Sequence, residues 1–127
     1  MYELCIKSHF SAAHHLRGYA GSCEEMHGHN WEIEVFVGGD HLDDTGMLID
    51  FRELKRLVAH LMDQLDHKDL NTLEMFRTIN PSSEHIARYL YRGLAASLTD
   101  PRITVRRVRV FETPSCSACY GEEGGGC

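Results

Sequence analysis

No apolar run in this 127-residue chain approaches the roughly twenty residues a bilayer crossing needs. No signal-like segment precedes Tyr2, so a cytoplasmic protein is expected. Repeats, low-complexity tracts and internal linkers are also missing, and prolines number only three. The chain therefore reads as one ordinary domain, with residues 1–120 as its body and the glycine-rich residues 121–127 as a loose tail. Basic residues are the scarcer charge, 13 against 19 acidic for a net −6, which excludes a general nucleic-acid surface. A small anionic ligand is still allowed, because Arg106, Arg107 and Arg109 cluster locally. Cysteines are few and odd in number, at positions 5, 23, 116, 119 and 127. That pattern fits reduced thiols rather than a disulfide framework.

What is present is periodicity. Residues 2–10 alternate, with Tyr2, Leu4, Ile6, Ser8 and Phe10 on one face, and residues 11–14 prolong or bend that strand. A second strand is predicted over 28–38, with His29, Trp31, Ile33, Val35 and Val37 sharing a face with His27. From Asp50 the period becomes helical, with Phe51, Leu54, Leu57, Val58, Leu61, Met62 and Leu65 in one stripe. Asp50 suits the N-cap, and Glu53 three residues on suits a capping box. A second helix comes after Asn80 and Pro81, capped by Ser82 or Ser83 and striped by Ile86, Leu90, Leu94 and Leu98, and it ends by Asp100 and Pro101. A strand over 103–112 carries Ile103, Val105 and Phe111 on one side and Val108, Val110 and Glu112 on the other. A short last strand involves residues 117–120. The order ββααββ implies an α+β fold: a four-stranded antiparallel sheet with both helices on one face. Its two open edges favour pairing with another subunit.

The chemistry concentrates near the start of the second strand. His27 and His29 are alternate residues and project to the same side, at the end of an otherwise apolar face. His14 can join them from the neighbouring strand. Three imidazoles suit a metal, zinc first, and leave a fourth position open. Cys23 can close that tetrahedron as a structural ligand, or stand free as a thiol of lowered pKa serving as base or nucleophile. Asp66 and His67 come after the first helix, either as a charged helix exit or as a carboxylate holding an imidazole for proton transfer. Glu112 ends a strand, either in solvent or accepting paired N–H donors from a heterocycle. Cys116 and Cys119 form a C-x-x-C without a matching second pair, and no role is assigned to them.

Taken together, residues 10–14, Cys23 with the His27-Gly28-His29 run, residues 65–67, residues 80–84 and residues 111–113 resemble the 6-pyruvoyl-tetrahydropterin synthase superfamily. The four-residue step from Cys23 to His27 is most similar to the branch that forms 6-carboxy-5,6,7,8-tetrahydropterin in queuosine and deazapurine biosynthesis. The resemblance implies zinc held by His14, His27 and His29. It also implies Cys23 as catalytic thiol, Asp66 and His67 as its proton-transfer partners, and Ser82, Ser83, Glu84 and Glu112 as substrate-binding residues. The implied substrate is 7,8-dihydroneopterin triphosphate, with release of acetaldehyde and triphosphate. Alternatives are a 6-pyruvoyl-tetrahydropterin synthase, or a non-catalytic zinc module of one cysteine and three histidines. The implied assembly is a homo-oligomeric barrel, a hexamer or tetramer with its site between subunits, and neither nucleic acid nor membrane is an expected partner.

Overall fold

The structure, a computed structural model, describes residues 1–18 and 25–122. The chain runs through β1 (Tyr2–His14), β2 (His27–Gly39), α1 (Phe51–Met62), β3 (Lys68–Asp69), α2 (Ser83–Ser97), β4 (Thr104–Thr113) and β5 (Cys116–Tyr120). The four expected strands form one sheet with a fifth, in the order β3-β1-β2-β4-β5. The extra strand is only two residues long and pairs parallel with Ala12 and Ala13, so no alternation in the sequence could announce it. Among the described residues no helix is long and apolar enough to cross a membrane.

Residues 11–14 prolong β1, which pairs antiparallel with β2 along its whole length, from Tyr2 opposite Gly39 to His14 opposite His27. Ile6, Phe10, Ala12 and His14 of β1 are buried, as are Trp31, Ile33, Val35 and Val37 of β2. The intervening residues form a polar face held by ion pairs such as Lys7–Glu34 at 3.5 Å and Glu3–Arg107 at 3.1 Å. Helix α1 lies against β1 and α2 against β4 and β5.

Three local expectations need correction. The parity read along β4 fails, because Ile103, Val105, Val108 and Val110 are all buried. The β2–β4 register passes from Phe36 opposite Arg107 to Val37 opposite Val105, so Arg106 is an extra residue in a β-bulge. One inserted residue returns both apolar sets to the same face. Asp50 caps α1 by accepting the amide of Arg52 at 2.8 Å, but the Glu53 carboxylate pairs with Arg56 instead of closing a capping box. Phe51, placed in the apolar stripe, is half exposed because it opens the helix before the helix reaches the sheet. Helix α2 meets expectation, with Ser82 Oγ accepting the amide of His85 at 3.2 Å. Beside β5, Glu122 accepts from Tyr120 at 2.6 Å and from Arg92 at 3.3 Å.

A candidate metal centre at the end of the first hairpin

The register brings the histidines together. His14 ends β1 and faces His27, the first residue of β2, and directly opposed residues of an antiparallel pair present their side chains to the same face. His29 lies two residues further along, on that face too. Ring centroids stand 4.5 Å apart for His14 and His27, 4.6 Å for His27 and His29, and 5.4 Å for His14 and His29. Beneath them is Trp31, 4.9 Å from the His14 ring, which stacks on Phe10 and donates its indole N–H to the Ala12 carbonyl at 3.3 Å. That floor is fully buried, and truncating a tryptophan there would cost about 3–5 kcal/mol.

Glu112 completes the cluster from β4. It falls in a second irregularity, where the β4–β5 register shifts between Phe111 and Thr113. Bulges of this kind re-aim side chains beside functional sites. One donor atom from each of His14, His27, His29 and Glu112 lies within 4.8 Å of the others.

The hydrogen bonds show which nitrogens are available. His14 Nδ1 lies 2.7 Å from the Pro81 carbonyl, and His27 Nδ1 lies 2.7 Å from the Glu25 carbonyl. A carbonyl can only accept, so each Nδ1 carries the proton and each Nε2 presents a lone pair. The buried Nε2 atoms of His14 and His29 have no hydrogen-bond partner. His14 Nε2 nevertheless stands 3.0 Å from Glu112 Oε1, and His29 Nε2 stands 3.7 Å from it. Proximity without hydrogen-bond geometry, between a lone pair and a carboxylate, is repulsive unless a cation lies between. Orphaned acceptors converging in this way fit a divalent metal, each imidazole being steered by the bond at its other nitrogen.

Burial pushes the pKa of both His14 and His29 down; at His14 the Pro81 bond opposes this, and at His29 the Glu112 carboxylate does. The neutral, ligating form is therefore favoured at neutral pH. In the unfolded chain these rings protonate near about 6.5. Below that pH the unfolded state binds protons that the folded state resists, so stability falls on acidification. The metal-free protein should melt at a lower temperature at pH 5 than at pH 7.5, and holoprotein should release metal over the same interval. Melting curves with and without a chelator check this; a metal-free protein equally stable at both values would contradict it.

The other expected residues divide. Ser83, Glu84 and Glu112 line one cavity of about 380 Å³ together with Cys116, Ser117 and Cys119 of β5. Ser82 is engaged as the α2 cap. Asp66 and His67 do form a dyad, with His67 Nδ1 3.0 Å from Asp66 Oδ2. The other Asp66 oxygen accepts the Ser11 amide at 2.9 Å, and that bond, aided by His67, holds the carboxyl below its usual range. His67 has φ +58°, uncommon for a residue with a Cβ, and its amide donates to the Ser11 carbonyl at 2.6 Å. The dyad is fixed to the outer edge of β1 with its ring 81% exposed, and it is not part of the histidine cluster. Cys23 lies outside the described residues. Sequence reasoning missed Glu112 as a cluster member and the carbonyls of Pro81 and Glu25 as orienting groups. A bulge would have to be foreseen for the first, and backbone acceptors leave no mark in side-chain identity.

With fold and site defined, comparison with known proteins is direct. The chain belongs to the 6-pyruvoyl tetrahydropterin synthase family, whose model matches residues 3–123. It is 35% identical to 6-carboxy-5,6,7,8-tetrahydropterin synthase of Bacillus subtilis, covering 98% of this chain and 88% of that one. It is 32% identical to 6-pyruvoyl tetrahydrobiopterin synthase of Dictyostelium discoideum, covering 81% and 76%. The solved structure of Caenorhabditis elegans 6-pyruvoyl tetrahydropterin synthase superposes with a TM-score of 0.84 at 28% identity, covering 96% of each chain.

Proposed function

We propose that this protein is a zinc-dependent lyase. It takes 7,8-dihydroneopterin triphosphate and water to 6-carboxy-5,6,7,8-tetrahydropterin, acetaldehyde and triphosphate. The observation that carries this reading is the convergence of orphaned imidazole nitrogens beside a cavity able to hold a bicyclic ring. The choice of product rests on the relative in Bacillus subtilis and on the short step from Cys23 to His27.

His14, His27 and His29 would hold the zinc, which when bound supplies Lewis acidity to the substrate's side-chain hydroxyls and the adjacent C–H. Glu112 accepts paired N–H donors of the ring, and Ser83 and Glu84 line the same cavity, so the side chain is delivered to the metal in a fixed pose. Cys23, as thiolate, takes the proton from carbon. His67, oriented by Asp66, returns a proton elsewhere on the substrate. Loss of triphosphate and hydrolytic cleavage of the side-chain carbon–carbon bond then release acetaldehyde. β1 residues 2–10, which have no pairing strand on their outer side among the described residues, and the Asp66–His67 dyad anchored at the end of that open edge support a homo-oligomer in which Asp66 and His67 serve the site of a neighbouring copy.

Product analysis tests the proposal. Acetaldehyde and the 6-carboxy product are expected in equal amounts. Loss of triphosphate without acetaldehyde would favour the 6-pyruvoyl product, a reading supported by the relative in Dictyostelium. No reaction at all, with zinc bound, would leave a structural metal module.

Glu112 separates ring anchoring from metal ligation. Glu112→Gln keeps an acceptor but loses the charge, and a charge-assisted hydrogen bond is worth about 1.5–3 kcal/mol, so kcat/KM should fall about 10- to 150-fold. Zinc content should be unchanged. Loss of zinc from the variant would instead make Glu112 a ligand.

A further inference from the structure

His14 is the last residue of β1, and strand ends fray unless something holds them. Here the chain after it is fastened to residues 71–81 by side-chain amides acting as substitute strand partners. Asn71 accepts the His15 amide at 2.9 Å and donates to the His15 carbonyl at 3.1 Å. Asn80 does the same for Arg17, accepting its amide at 2.8 Å and donating to its carbonyl at 3.0 Å. An asparagine amide offers one acceptor and adjacent donors, the same complement as a peptide group on a paired strand. The Arg17 guanidinium then donates to the carbonyls of Phe76 at 2.7 Å, Ile79 at 3.2 Å and Asn71 at 3.3 Å. None of these three side chains belongs to the histidine cluster or lines the substrate cavity.

Fastening Asn80 also fastens the residues next to it. Pro81 supplies the carbonyl that steers His14, and Ser82 caps α2, whose first turn carries Ser83 and Glu84. The Asn80 carbonyl is itself 2.6 Å from Nδ1 of His85, so both ends of the residue are engaged. We infer that Asn80, with Arg17 and Asn71, is a positioning residue of the metal centre: it holds the Pro81 carbonyl against His14 and so couples the metal-binding hairpin to the α2 side of the substrate cavity. The inference rests on the metal-centre reading above and adds the residues that set the orientation of His14.

The test is zinc affinity of the full-length protein, measured by chelator competition, with the d–d spectrum of the cobalt-substituted protein as a second readout. Asn80→Ala should weaken zinc binding about 10- to 100-fold, the usual effect of removing a group that orients a ligand, and alter the cobalt spectrum. The comparator is Val58→Ala in the buried face of α1, a residue of neither the cluster nor the cavity lining, which lowers stability and should leave affinity and spectrum unchanged. Should Asn80→Ala fail to fold, Arg17→Lys serves in its place, since one ammonium cannot reach three carbonyls. Affinity within twofold of the parent in the Asn80 or Arg17 variant overturns the inference. So does an equal loss in Val58→Ala, which would make the effect one of stability alone. A parent protein that binds no zinc would instead sink the metal-centre reading itself.

Discussion

Replacing Cys23 with alanine is expected to lower turnover about 10²- to 10⁴-fold, the range for removing a general base, while leaving zinc stoichiometry intact. The expectation comes from the donor count. The donor atoms of three imidazoles already lie within 4.8 Å of one another, so the site does not require sulfur to hold an ion. A thiol beside a bound cation has a lowered pKa and is available as a base. Cobalt substitution separates the alternatives: a free thiol gives no sulfur-to-metal charge-transfer band. A strong band in the parent, together with metal loss in the variant, would make Cys23 a ligand and remove the base from the mechanism.

His14→Ala should abolish activity by removing the metal. His14 is the most buried imidazole of the cluster, 1% exposed, and it joins two partners: its Nε2 faces the cluster and its Nδ1 the Pro81 carbonyl. Loss of a ligand should exceed the effect of losing a group that merely orients one, so zinc affinity should fall by more than about a hundredfold. The variant also leaves the Pro81 carbonyl unpaired, at a cost of about 1–3 kcal/mol. His27→Ala is the cleaner companion, because His27 is less buried and the carbonyl it releases, that of Glu25, lies in an exposed stretch. Zinc content measured on both variants decides the matter. Full occupancy in both would show that the imidazoles do not bind the ion.

Much of this was legible before any coordinates. Alternation along residues 28–38 puts His29, with His27, at the end of an apolar face and leaves His14 to arrive from the neighbouring strand, which the antiparallel register supplies. The helical stripes, Phe51 apart, and a serine cap at 82 or 83 were equally readable. The failures have a common origin in events that add or remove one residue from a count. Arg106 breaks the parity of β4, and a second shift beside Glu112 brings its carboxylate near the imidazoles, a proximity that no spacing announces. The two-residue strand at Lys68 exists only because β1 offers it an edge.

The sequence by itself determined the element types, the buried faces and the chemical identity of the donors, since each depends on side-chain character at short spacing. Only the tertiary structure decided which nitrogens are free, which carbonyls steer the rings, and that the Asp66–His67 dyad is fastened to Ser11 at the edge of β1. Two of these contacts join residues 55 and 67 positions apart, Ser11 with Asp66 and His14 with Pro81, and the local one, Glu25 with His27, is made through a backbone carbonyl. Backbone groups are the same at every position, so no composition or period can say in advance which carbonyl will face which ring.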